Sequence, residues 1–161
     1  MGCVNNGSVF VEYGKSKYGE LDIDHMVREA FKDERLLELT DGEGLKPIAG
    51  TTMGVAWSGP RRGGDMELRF VKFYSYDVVE ILRTLQAKLD GKRRKVWLDG
   101  KVSYDDETCG EEGFIDVTKG VVSEHYRSEE DLFYATDAKL AKILRSRGYV
   151  VTKKKKGKGR K

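Results

Sequence analysis

The sequence predicts an α+β domain in which about three helices pack on a mainly antiparallel sheet, followed by a short basic C-terminal tail. Segments with apolar residues at helical spacing alternate with short runs of β-branched and aromatic residues, separated by glycine- and aspartate-rich turns. A chain of 161 residues that is 39% hydrophobic forms one domain with a core of modest size. We assign residues 1–152 to this domain and residues 153–161 to the tail.

The first half of the chain predicts a strand, a helix and a hairpin. Residues 9–13 form the strand after a flexible polar start, and residues 20–39 form one amphipathic helix with an acidic first turn. Two strand-forming segments, 51–57 and 66–74, are joined by a glycine-rich connection. Period-two alternation in the second strand places Phe70 and Phe73 on opposite faces.

The second half predicts a helix over 77–90 that ends at Gly91, followed at once by a basic cluster. Asp99-Gly100-Lys101 between apolar runs predicts the tight turn of a hairpin. Residues 105–131, with 10 Asp/Glu and 2 Lys/Arg, contain possible strands at 114–117 and 121–122. A short helix over 129–135, a basic helix over 138–147 and a strand over 149–152 complete the domain.

The order of elements in residues 129–161 resembles the last part of a winged helix-turn-helix module. In such modules the second helix enters the major groove of DNA and a basic wing touches the backbone. The run from Leu140 to Tyr149 is also similar to helix-turn segments of site-specific recombinases. An amphipathic helix with cations at its C-terminal end, favoured by the helix dipole, accounts for the same residues.

Charge is sorted along the chain, and this indicates the class of partner. Residues 138–161 carry 11 Lys/Arg and no Asp/Glu, whereas residues 1–137 carry 19 Lys/Arg against 27 Asp/Glu. A run of lysines cannot be buried without losing the hydration of each ammonium group. The tail therefore predicts a polyanion, such as nucleic acid of either type, or an acidic protein surface as partner.

The candidate nucleic-acid-binding residues form four groups of cations. The first two are a hairpin connection and the cluster after the second helix. The other two are the last helix and the tail. In chain order they are Arg61, Arg62, Lys92, Arg93, Arg94, Lys95, Lys139, Lys142, Arg145, Arg147, Lys153, Lys154, Lys155, Lys156, Lys158, Arg160 and Lys161. Trp57 and Trp97 lie near two of these groups, where an indole can stack on a base or fill the core.

No catalytic or cofactor motif stands out, so we expect a non-catalytic protein without a cofactor or metal site. The chain lacks a serine elbow, a Walker loop and a paired-cysteine motif. Scattered carboxylates such as Asp65, Glu67 and Asp99 leave a nucleic-acid-processing enzyme as a third possibility. No apolar run approaches the length of a membrane span, and no secretory signal is visible. We therefore expect a cytoplasmic, nucleoid, nuclear or virion-associated protein.

The leading prediction is a protein that binds backbone phosphates of nucleic acid through these cations. The alternative is a structural or protein-interaction component, such as an assembly, virion or regulatory protein. In that case the acidic stretch 105–131 of one copy would meet the basic end of another.

Overall fold

A seven-stranded mixed sheet is the centre of the first of two units, Met1–Arg127 and Ser128–Lys161. The computed structural model describes residues 3–60, 65–106, 111–127 and 137–152. The strands are β1 (Cys3–Glu12), β2 (Leu45–Pro47), β3 (Gly54–Ser58), β4 (Glu67–Tyr74), β5 (Trp97–Asp106), β6 (Glu111–Thr118) and β7 (Val121–Arg127). The helices of the described residues are α1 (Glu20–Ala30), α2 (Glu34–Leu39), α3 (Ser75–Leu89), α4 (Gly91–Arg94) and α5 (Asp137–Ser146).

The strands lie in the order β2-β3-β4-β1-β5-β6-β7, and β2–β3 is the one parallel pairing among them. The register fixes which connections share an end of the sheet. The end of β1 pairs with the start of β5, the end of β3 with the start of β4, and the end of β6 with the start of β7. All these connections therefore lie at one end of the sheet.

The core lies between the sheet and α1, α2 and α3. Helix α3 contacts α1, α2, β4, β5 and β7. The apolar stripe of α3, which includes Leu82 and Leu85, is fully buried, as are Ile23 and Val27 of α1. Opposite them lie residues of four strands, Val9, Leu68, Phe70, Leu98 and Ile115. The predicted apolar stripes therefore build the core.

The α+β class is confirmed, but the number of helices and the size of the sheet differ from the prediction. Five helices occur in the described residues, and three of them have seven or more residues. The predicted helix over 20–39 is two helices, because the Asp33 side chain accepts a hydrogen bond from Arg35 N (3.0 Å) and caps a new start. The polar start at 5–8 is part of β1, paired with β4.

The predicted tight turn at Asp99-Gly100 is wrong, because β5 runs through it without interruption. Gly100 has φ +156°, and the register between β1 and β5 shifts between Val9 and Cys3. An irregularity of this kind inside a strand needs glycine for the same conformational freedom as a turn. Gly100 is therefore needed for its conformational freedom, as the sequence indicated, but at an irregularity inside β5 and not at a turn.

A second irregularity reverses the predicted position of Phe73. Lys72 has φ +56°, so the alternation of side chains changes at this residue. Phe73 packs against the core with its ring centroid 6.1 Å from that of Phe70. Both phenylalanines therefore lie on the core side of β4.

The described part of the second unit consists of α5 and the residues after it. The helix agrees with the predicted helix over 138–147, and Gly148, with φ +87°, ends it as Tyr149 N donates to Leu144 O (3.1 Å). Residues 149–152 do not form the predicted strand. The predicted helix over 129–135 and the tail lie outside the described residues. None of the described helices is long and apolar enough to cross a membrane.

Candidate nucleic-acid interface

The connections at one end of the sheet carry a group of cations that we call the basic end. They come from the β1–α1 loop, from α4 with the residue that follows it, and from the β6–β7 turn. All are exposed except Arg94, which is half-buried. The basic end consists of Lys15, Lys17, Lys92, Arg93, Arg94, Lys95 and Lys119.

A side-chain hydrogen bond joins two parts of the basic end that are 78 residues apart in sequence. Ser16 Oγ donates to the carbonyl oxygen of Arg94 at 2.5 Å and accepts from Tyr18 N at 3.2 Å. Ser16 lies between Lys15 and Lys17, so this bond holds both lysines beside α4. Two weak charge clusters thus become one surface.

The shape of α4 depends on Gly91 and on two residues in the left-handed region. Asp90 (φ +49°) and Lys95 (φ +59°) bound the single turn of α4. A Cβ on Gly91 would lie 2.2 Å from Trp97 Cε3, so the indole packs directly on this backbone. The Gln86 side chain fixes the next segment by donating to Val96 O (3.2 Å) and accepting from Leu98 N (2.8 Å). Packing of Trp97 and hydrogen bonds of Gln86 therefore fix the backbone that carries the cations of α4.

Few partners neutralise these cations. In the described parts of the chain, Arg93 is the one member with a carboxylate partner, Asp90 at 3.0 Å. The Nε of Arg94 is buried and has no hydrogen-bond partner there. A buried donor of this kind costs about 1–3 kcal/mol. Lys17 Nζ lies 5.4 Å from the centre of the Tyr18 ring, a cation–π contact.

Acidic side chains also occur at this end, mainly on the side of α1. The Tyr13 hydroxyl donates to Glu20 at 2.6 Å. This hydrogen bond, burial, and the charges of Glu20 and Asp65 raise the pKa of Tyr13. The acidic residues at this end include Glu12, Glu20, Asp22, Asp65, Asp90 and Asp99. The cations are most concentrated around α4, where Asp90 is the neighbouring carboxylate.

Arg61 and Arg62 lie outside the described residues, but the strands on either side place the ends of their segment. Ser58, at the end of β3, pairs with Glu67, at the start of β4, which also pairs with Phe10 of β1. The β3–β4 connection therefore starts and ends at the same end of the sheet as α4. Trp57 Nε1 donates to Asp24 at 2.7 Å and ties β3 to α1.

The other predicted site residues belong to the second unit. Lys142 and Arg145 are exposed on α5, and Arg145 Nη2 donates to Val151 O at 3.0 Å. Arg147 lies just beyond α5, and Lys139 lies within its first turn. The seven cations of residues 153–161 are outside the described residues.

The scattered carboxylates considered in the sequence do not form a metal site within the described residues. The described residues contain no group of three or more His, Cys, Asp or Glu side chains placed to hold a metal ion. Glu67 is buried, accepts from Ser8 Oγ (2.5 Å) and pairs with Arg69 at 2.9 Å. These contacts, to one residue of β1 and one of β4, give Glu67 a structural role in the sheet.

Sequence reasoning missed Lys15, Lys17 and Lys119 as members of this surface. The first two belong to Gly14-Lys15-Ser16-Lys17-Tyr18-Gly19, a glycine-bounded basic loop with an aromatic residue. That pattern was a usable signal. Lys119 gave none, since a single lysine in an acidic stretch suggests only a solvated turn.

Comparison of the chain with protein-family models, with curated proteins and with solved structures finds no match. The function must therefore be inferred from the basic end itself.

Proposed function

We propose that the protein binds nucleic acid through backbone phosphates, without catalysis, and that the basic end is a principal contact. The observation that supports this most is the bond from Ser16 to Arg94, which joins lysines and arginines from distant segments. When clustered, exposed cations neutralise phosphates, the counterions condensed on the nucleic acid are released, and this release drives binding. The last helix and the tail supply further contacts in this proposal.

The test is a set of paired substitutions measured by fluorescence anisotropy with labelled oligonucleotides. Lys15→Ala/Lys17→Ala and Lys92→Ala/Lys95→Ala should each reduce the slope of log affinity against log salt, by about 1.4 on a single strand or about 1.8 on a duplex. The four substitutions together should reduce it by about 2.8 or about 3.6. Lys32→Ala/Arg35→Ala is a control for net charge, because it removes two cations beyond the opposite end of α1, where they pair with Glu29 and Glu38.

Two results would contradict the proposal. The first is a lack of binding by the intact protein to any oligonucleotide at low salt. The second is equal loss from the control pair and from the basic-end pairs, which would mean that net charge alone is responsible. Turnover of the labelled oligonucleotide with added divalent metal would instead favour a nucleic-acid-processing enzyme.

One observation favours the second candidate, a protein-interaction component. The register of β5 and β6 pairs Asp105 with Glu112 and Asp106 with Glu111 at the other end of the sheet. This end of the hairpin therefore has a high density of carboxylates, which would attract a cationic surface of another copy. Salt-sensitive self-association without nucleic acid, lost in Asp105→Asn/Glu112→Gln, would support this candidate.

A further inference from the structure

The cations of the basic end lie in connections of β1, β5, β6 and β7, which are neighbours in the sheet. With strands about 4.8 Å apart, the ends of these four strands span about 15 Å. Two hydrogen bonds bring the connections together, because Ser16 Oγ donates to Arg94 O at 2.5 Å and Gly120 N donates to Leu98 O at 2.9 Å. A group of cations of this extent can contact successive phosphates of one strand.

Aromatic rings lie among these cations. Tyr13, Tyr18 and Trp97 are each partly exposed, and the two tyrosines pack against the core. The ring of Trp97, the first residue of β5, packs on the backbone of Gly91, the first residue of α4. Rings held in this way lose little conformational entropy when a base stacks on them, and every base offers a π-face.

The same end of the first unit lacks a device for reading a duplex, within its described residues. Helix α4 has four residues and is bounded by two left-handed residues, so it is too short to lie in a major groove. Helix α1 starts at this end, but Glu20 and Asp22 in its first turn repel phosphates.

From this combination of clustered cations and partly exposed rings we infer that the basic end binds single-stranded nucleic acid, with Trp97 stacking on a base. This inference rests on the proposed function and specifies its substrate. Trp57 provides an internal reference, because it is 4% exposed and hydrogen-bonded to Asp24.

The first experiment compares three ligands with the unmodified protein: a single-stranded oligonucleotide, its duplex, and an abasic strand with the same phosphates. The single strand should bind at least about tenfold more tightly than the duplex at equal salt. Loss of the stacked bases should weaken binding by about five- to a hundredfold. Tryptophan fluorescence should change on binding the intact strand.

The second experiment uses Trp97→Leu and Trp97→Phe. Trp97→Leu should lose about five- to a hundredfold in affinity for the single strand and little for the duplex, while Trp97→Phe should retain most of it. The fluorescence change should disappear in Trp97→Phe, which keeps Trp57. Thermal unfolding of both variants checks that they are folded.

Equal affinity for the abasic and intact strands would overturn the inference while leaving phosphate binding in place, even if the variants fail to fold. Equal or tighter binding of the duplex would also overturn it. If no ligand binds at low salt, the proposed function fails as well.

Discussion

The two ends of the sheet differ in how their charges are arranged, although the same strands supply both. At the basic end the cations come from several connections, and in the described residues most of them lack a carboxylate partner. At the other end the carboxylates come from one hairpin, β5–β6, and from the start of α3. At the start of α3, the charges of Asp41 and Glu80 act on the carboxyl group of Asp77. The order of charges along the sequence therefore does not reveal this second arrangement of charge in space, within a domain that has more acidic than basic residues.

Deleting residues 153–161 should give the largest effect and shows which region dominates binding. The deletion removes seven cations, so the slope of log affinity against log salt should fall by several units. The melting temperature should stay nearly unchanged, because the segment has no apolar group to pack. Anisotropy and thermal unfolding measure the two quantities.

Residual binding by this deletion variant should then depend on Lys92 and Lys95. If the shortened protein binds nothing at low salt, the basic end is not an independent contact. A melting temperature lower by several degrees would mean that the tail stabilises the body.

Gly91→Ala should test how strongly the core supports the basic end. The new Cβ would meet the Trp97 ring at 2.2 Å, so the ring or α4 must shift, at a cost of about 1–3 kcal/mol. Urea unfolding measures this cost. Gly14→Ala is the matched control at the same end, because nothing lies within 4 Å of its added Cβ. Equal stability of the two variants would contradict the packing of Trp97 on Gly91.

The same glycine shows what the sequence could and could not predict. Helix α3 followed from its apolar stripe, and Gly91 was expected to end it. In the structure Asp90 has the positive φ, and Gly91 is small because Trp97 covers it. Local patterns gave the elements, but they could not give a contact with a residue in the next strand.

The candidate site was predictable to a similar extent. The Lys92–Lys95 cluster was visible as a run of charge. Its union with Lys15 and Lys17 depends on strand order, because β1 and β5 are neighbours while 85 residues separate Glu12 from Trp97. A register between distant strands has no signature in one sequence, so the surface became visible only in the fold.

Arg145→Ala should have a smaller effect, and it tests whether α5 reads bases. Lys142 and Arg145 are one helical turn apart and both exposed, so they can contact the same strand. We expect phosphate contact only, with a similar loss on two different sequences and a salt slope lower by about one. A loss of about 1–3 kcal/mol on one preferred sequence alone would show base readout instead.

The smallest effect is expected at Asp77, near the start of α3 and at the opposite end of the sheet from the basic end. Burial, the nearby charge of Asp41 and that of Glu80 raise the pKa of this carboxyl, against the opposing effect of Arg35. The folded state therefore favours the protonated form. The stability this provides is fully present below the ordinary carboxyl pKa and is lost as pH rises through the raised one.

Asp77→Asn stays neutral at every pH, so it should avoid this loss. We expect a gain of about 0.5 kcal/mol or less at pH 7 and no gain at pH 3, measured by urea unfolding at both values. Asp41→Asn is the companion variant, since it removes the repulsion and should lower the pKa of Asp77 in an NMR titration. Destabilisation by Asp77→Asn at pH 7 would mean that its charge at the start of α3 outweighs the repulsion. The carboxylate at the start of α3 would then be stabilising, and the second candidate function would rest on the β5–β6 hairpin alone.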